Sequence, residues 1–170
     1  MNIGFMRLVV AAMVLVMFSG CAQAGSSKPK DDTAQSKQDV KLEKLEIVGA
    51  DGNTHMFDVE LATTPHTMAY GLMDRYSMPD DRGMLFVFTE NKLRSFWMRN
   101  TYISLDMIFI SPDGKVVHIH PEAIPLDETL ISSQVPAQYV LELNGGVAQK
   151  LNIQVGDKIN QRIFGNKLAH

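Results

Sequence analysis

The chain has 170 residues, of which 45% are hydrophobic and 21% charged, and its net charge is -3. That balance excludes a fibrous or wholly disordered chain, and the scattered basic residues point to no nucleic-acid partner. A single cysteine excludes an internal disulfide framework, and the eleven methionines, without an M-x-x-M cluster, read as core fillers rather than a copper-handling surface.

Residues 1–20 read as a secretory signal. Behind Arg7, "LVVAAMVLVMF" (Leu8–Phe18) is an apolar run of 11 residues. It falls short of the roughly 20 that span a membrane but fits a signal h-region. "FSGC" (Phe18–Cys21) then resembles a bacterial lipobox, in which the cysteine thiol is diacylated and becomes the first mature residue. Lipidation accounts for one unpaired cysteine at this position. At about 0.8 kcal/mol per buried methylene, two or three acyl chains anchor stably. Ala22 after the cysteine resembles a signal for outer-membrane sorting. The expected address is therefore an outer-membrane lipoprotein facing the periplasm, with the membrane as a partner through Cys21. The alternative is "AQAG" (Ala22–Gly25), a cleavage site after Ala24 that would release a soluble periplasmic protein. Residues 21–41 are then the lipidated cysteine and a polar tether with no apolar period. Residues 42–170 form one domain by length, enough to bury about two thirds of the unfolded surface.

Strand patterns dominate the domain. "LEKLEIVG" (Leu42–Gly49) runs to an Asp51-Gly52 turn, and "HMFDVELA" alternates, with Phe57, Val59 and Leu61 opposed to Asp58 and Glu60. In "TTPHTMAYGLMDR", Thr64 suits a cap and Pro65 a first helical position, which predicts a short helix over 64–73. "GMLFVF" (Gly83–Phe88) and "LDMIFIS" (Leu105–Ser111) are unbroken apolar runs, consistent with strands covered on both faces. "PDGK" turns the second of these into "KVVHIHP", and "AQYVLELN" (Ala137–Asn144) is a further strand. A second short helix is expected over 145–152, and "VGDKI" leads into a last strand. Seven or eight short strands with two brief helices predict a mainly β fold, a compact antiparallel β-sandwich or partly open barrel.

Polar groups inside these apolar strands are the candidate site. Asp106 stands in an internal strand, where a carboxylate costs several kcal/mol unless it is paired or hydrogen-bonded. Its expected donors are the backbone of the 99–101 loop, the Asn100 amide, or Arg75 or Arg99. It reads either as a structural carboxylate holding that loop or as the floor of a pocket rimmed by Phe96, Trp97 and Met98. Glu142 shares a strand face with Gln138 and Val140, a face that solvent could cover. His118 and His120 share a face and form a weak metal pair lacking an evident third ligand, for which His55 and His66 are candidates. Neither a G-x-S-x-G nor another serine context supports nucleophilic catalysis, and no cofactor is indicated.

The ordered motifs "GLMDR" (Gly71–Arg75), "GMLFVF", "FWMRNTYISLDMIFI" (Phe96–Ile110), "YVLELNGGVAQKLNI" (Tyr139–Ile153) and "VGDKI" (Val155–Ile159) together resemble the uncharacterised family known as domain of unknown function 192. The resemblance covers about residues 45–163. It implies a compact, mainly β domain that is often exported, and it supplies no reaction. The recurrent family positions fall on Gly71, Leu72, Met73 and Arg75; Gly83; Trp97, Met98, Asn100 and Thr101; Leu105 and Asp106; and Glu142, Leu143 and Gly146. Ser104 stands where many members have proline, which implies a looser turn before Asp106. A cysteine pair that some members carry within the stretch matching 126–139 is absent here.

Three functional readings follow. The leading one is a non-enzymatic, envelope-anchored accessory or small-ligand-binding module, its site lined by Arg75, Trp97, Met98, Asn100, Thr101, Asp106 and Glu142. In it, Arg75 would hold an anionic ligand group and Trp97 would give a flat wall. A hydrolase of envelope glycan or peptide would instead use Asp106 and Glu142 as an acid–base pair. Third, an exposed apolar patch elsewhere would serve an envelope protein partner.

Overall fold

Backbone pairing of the apolar runs produces one curled seven-stranded sheet, a half-barrel, beside a small two-stranded one. The computed structural model describes residues 41–165; the expected signal, Cys21 and the expected tether up to residue 40 lie outside the described residues. β1 (Leu42–Val48) and β2 (Thr54–Ala62) form an antiparallel hairpin with Leu45 opposite Phe57. Its turn uses Gly52 at φ +83°, a conformation that favours glycine. β3 (Arg82–Lys92), β5 (Leu105–Ile110), β6 (Val116–Ala123), β8 (Ala137–Asn144) and β9 (Lys158–Asn160) complete the order β6-β5-β8-β3-β2-β1-β9. β4 (Ser95–Phe96) pairs with β7 (Ile131–Ser132) in the small sheet. The fold is mainly β, as expected, with one departure: β2 and β3 run parallel.

A parallel pair needs a crossover connection, and α1 (Pro65–Tyr70) lies in it. Local chemistry fixes this helix. The Thr64 hydroxyl accepts from the Thr67 N–H at 3.1 Å, and the Thr67 hydroxyl accepts from the Thr64 N–H at 3.0 Å, a reciprocal capping box behind Pro65. Gly71 at φ +53° ends it three residues before the predicted limit, its N–H donating to the Thr67 carbonyl. The rest of the crossover is tied down by the Asn144 amide, which donates to the Met78 carbonyl at 2.7 Å, and by the Asp74 N–H, which donates to the Asn100 carbonyl at 2.9 Å. α2 (Val147–Lys150) is likewise shorter than predicted, because Gly145 and Gly146 form the turn that precedes it. Among the described residues no helix is long and apolar enough to cross a membrane.

Every residue of β5 is buried, since β6 and β8 flank it and apolar clusters cover both faces of the sheet. One cluster gathers Leu45, Val59, Ile108, Ile110, Leu141 and Leu143 with α2; the other gathers Met84, Phe86, Met107, Phe109, Val140 and Leu72. Asp106 lies on the first face, opposite Leu143. Here β6 bulges: Leu105 pairs with Ala123 and Met107 with His120, so Pro121 and Glu122 together oppose Asp106. The bulge frees the Glu122 N–H, and Asp106 Oδ1 accepts it at 2.8 Å. Oδ1 also accepts the Gly146 N–H at 3.0 Å, and Oδ2 accepts the Ala148 N–H at 2.7 Å. Gly146 has no side chain to cap α2, so a carboxylate from a distant strand takes the orphan donors of its first turn. The donors are therefore not those expected: neither the 99–101 backbone, Asn100, Arg75 nor Arg99 reaches Asp106.

Ser104 also departs from expectation. Its hydroxyl donates to the Ala123 carbonyl at 3.1 Å, and its carbonyl accepts the Gly145 N–H at 2.8 Å, so the turn before Asp106 is fastened rather than loosened. Asp106→Ala would strand three N–H donors, that of Ala148 buried, and a loss of about 3–5 kcal/mol is expected in urea unfolding. Asp106→Asn, which keeps one acceptor oxygen, should fall between wild type and alanine.

Candidate functional site

Glu142 occupies the opposite face of the same sheet. In β8 it pairs with Met84 of β3 on one side and Met107 of β5 on the other. β8 sits between those two long apolar strands, so the face thought open to solvent is covered and Glu142 is only 4% exposed. Its carboxyl makes no hydrogen bond with any described residue, and burial alone pushes its pKa up to about 8. An unpaired acid in such surroundings takes its neutral form near pH 7.

The carboxyl is part of the lining of a cavity of about 440 Å³, a size typical of small-molecule sites. α1 supplies one wall through Met68, Ala69 and Tyr70, continued by Gly71, Leu72 and Met73. Gly71 is needed there twice over: its φ is positive, and a Cβ would come within 3.2 Å of the Phe86 ring. Phe86, Phe88 and Phe96 form the aromatic wall, with Phe96 edge-on to Phe86 at 5.3 Å and to Phe88 at 6.4 Å. Two cations lie over rings of this wall: the Arg99 guanidinium is 4.1 Å from the Trp97 ring centre, and that of Arg94 is 3.9 Å from Phe88. Thr101 also lines the cavity, its hydroxyl donating to the Arg99 carbonyl at 3.3 Å.

Of the residues read from the sequence, Trp97, Thr101 and Glu142 meet in this cavity, together with Phe96. Met98 is fully buried in the core and does not line it. Asn100 serves the backbone: it holds φ +55°, which asparagine tolerates better than most residues, and receives Asp74, itself at φ +59°. Arg75 faces a neighbouring cleft, where its guanidinium grips Glu60 through two bonds of 2.5 and 2.7 Å and so already has its anion. Asp106 is spent on backbone donors, and its register places it on the other side of the sheet from Glu142. The acid–base pair of the hydrolase reading is therefore not assembled.

His118 stacks on Phe109 at 5.6 Å, and its Nε2 is buried without a partner. Burial first, and His120 second, lower its pKa. Three strands separate β6 from β2 and its His55, and no group of three metal-ligating side chains gathers among the described residues. Missed from the sequence were the α1 wall, Phe86, Phe88 and Leu130, which line the cavity, and Arg99 as a neighbour of Trp97 rather than of Asp106. The helix itself was predicted from Thr64 and Pro65, but no local signal marked one of its faces as a cavity wall.

The family of domain of unknown function 192, described as "Uncharacterized ACR", matches residues 46–161. Similar crystal structures include two at 39–42% identity. One is of a protein from Sinorhizobium meliloti 1021 described as a candidate transcription regulator, with 42% identity, a TM-score of 0.71, and coverage of 72% of this chain and 95% of that one. The other is of a protein of unknown function from Novosphingobium aromaticivorans DSM 12444, with 39% identity, a TM-score of 0.69, and coverage of 74% and 89%. No curated protein matches the chain.

Glu142 sets a pH dependence. Between the ordinary glutamate value of 4.5 and about 8, the folded protein keeps a proton that the unfolded chain has lost. Its contribution is complete below the lower value and falls as pH rises toward the upper one, by about 1.4 kcal/mol per pH unit. Glu142→Gln removes that slope. Urea stabilities of the two proteins should therefore diverge in the variant's favour from pH 5 to pH 8; a constant difference would contradict the assignment.

Proposed function

We propose, on the premise that the chain belongs to the domain of unknown function 192 family, that its domain is a non-enzymatic accessory module binding a small, largely apolar molecule over Glu142. The observation that carries this reading is the unpartnered carboxyl of Glu142 in a cavity whose walls are mostly apolar and aromatic side chains. An acid buried in this way costs stability that a hydrophobic residue of similar size would not. Such a cost is retained where the group meets something absent from the empty site. The aromatic and methionine walls supply apolar contact, and Glu142 and Thr101 supply the few polar groups that fix orientation.

Ala69 offers a clean test, because it is exposed on α1 yet lines the cavity. Ala69→Trp should leave the thermal midpoint within about 2 °C while abolishing the fluorescence rise of a neutral apolar dye, Nile red. Dye binding unchanged in this variant would place the apolar site elsewhere and remove the proposal.

The proposal extends to address. The lipobox-like "FSGC" and the polar tether after it support a domain held by acyl chains on Cys21 at the outer membrane, facing the periplasm. In a bacterial host fed an alkynyl fatty acid, the mature protein should carry the label and Cys21→Ser should lose it. An unlabelled chain starting at Gly25 would establish the soluble periplasmic alternative.

A further inference from the structure

We propose that the molecule taken by this cavity is an organic primary amine, its ammonium group paired with Glu142 and its apolar body packed on the aromatic wall. This rests on the binding reading above and names the chemistry of its ligand. The first ground is what a carboxyl alone can supply. If the wall needed only a hydrogen-bond donor or acceptor, an amide or hydroxyl would serve at lower cost than a carboxyl buried this deeply. A carboxyl adds a negative charge that appears when a cation arrives and disappears when the cavity empties.

The second ground is the wall itself. Aromatic faces attract cations, and two rings of this lining already do so, Trp97 with Arg99 and Phe88 with Arg94. The third is the lack of a resident counter-ion. On the strand rung through Glu142, its immediate neighbours are Met84 and Met107; beyond them lie Glu60, which is held by Arg75, and His120. From α1, the Tyr70 hydroxyl donates to Asp74 at 2.7 Å. Arg99, stacked on Trp97, is the one other charged side chain lining the cavity among the described residues. Arg99 makes no ion pair with Glu142, so an ammonium ion is the counter-charge that this carboxyl lacks. On binding, neutral Glu142 gives its proton to solvent, the amine stays protonated, and a carboxylate–ammonium pair forms with the atoms balanced.

The test uses linear alkylamines and 2-phenylethylamine, each beside its matching alcohol, in titration calorimetry with buffers of different ionisation heat. At pH 6.5 an amine should bind at least about tenfold more tightly than its alcohol and release close to one proton; at pH 9 the release should vanish. Glu142→Gln should reduce amine affinity to that of the alcohol and abolish the proton release. Equal affinities without proton release would overturn the amine assignment while leaving an apolar-ligand site in place. Amine binding and proton release that persist in Glu142→Gln would also overturn it, by moving the event to another group. Binding of Nile red that Ala69→Trp abolishes, with no binding of any amine, would overturn it too and spare the cavity reading. The absence of all binding, dye included, would remove both.

Discussion

A carboxylate sealed inside a β-sheet is tolerated here because three chain segments bring it their spare N–H groups. Asp106 receives the bulge of β6 through Glu122 and the first turn of α2 through Gly146 and Ala148. None of these donors has another role in regular structure: one is released by the bulge, and the others begin a helix. The exchange runs both ways, since a four-residue helix without a side-chain cap could not hold itself in place. Stranding such donors costs more than their bonds add when made, so the network constrains the fold more strongly than its net energy implies. It also settles how β5, β6 and β8 end relative to one another, and thereby where the next residues along β8 stand.

Glu142 is what that frame positions. It lies one residue before Leu143, the partner of Asp106 across the strands, so the pleat sends the two acids to opposite faces. One meets three donors, whereas the other meets methionines, rings and a hollow. The frame around Glu142 is stiff. A Cβ on Gly83 would fall 2.4 Å from the Glu142 carbonyl oxygen, so β3 and β8 approach as closely as glycine permits. The contrast explains why the two acids, alike in sequence, have unlike roles: one is structural, and one is available.

Much of the architecture was legible because it is encoded locally. The alternation in β2, the apolar runs of β3 and β5, and the Thr64-Pro65 helix start each carry their signal within a few residues. What was illegible depended on strand order. β8 comes late in the chain but inserts between β3 and β5, and only that placement buries Glu142. The parallel pairing of β2 with β3 was hidden for the same reason. Arg75 looked free until β2 placed Glu60 beside it, and Asn100 looked like a ligand group until its left-handed backbone showed what asparagine was for. Asp106 was singled out correctly as a misfit, but its donors come from 16 to 42 residues away, a separation that no local pattern encodes.

Membership in the motifs alone could not separate these roles, since Asp106, Asn100, Arg75 and Glu142 all lie within the stretches that carry the family resemblance. Hydrogen-bond satisfaction separates them. Arg75 is saturated by Glu60, Asp106 by backbone, and Asn100 acts through its main chain, which leaves the acid of β8 as the charged group among these four with capacity to spare. A fold that satisfies Asp106 and Arg75 so fully has the means to satisfy this acid, for instance by a serine or threonine on the wall of α1. That it places methionine, alanine and aromatic rings there instead keeps the carboxyl open to whatever enters the cavity. The stability forgone at Glu142 is then the thermodynamic reserve from which binding draws, since a partner that satisfies the acid recovers part of its burial cost.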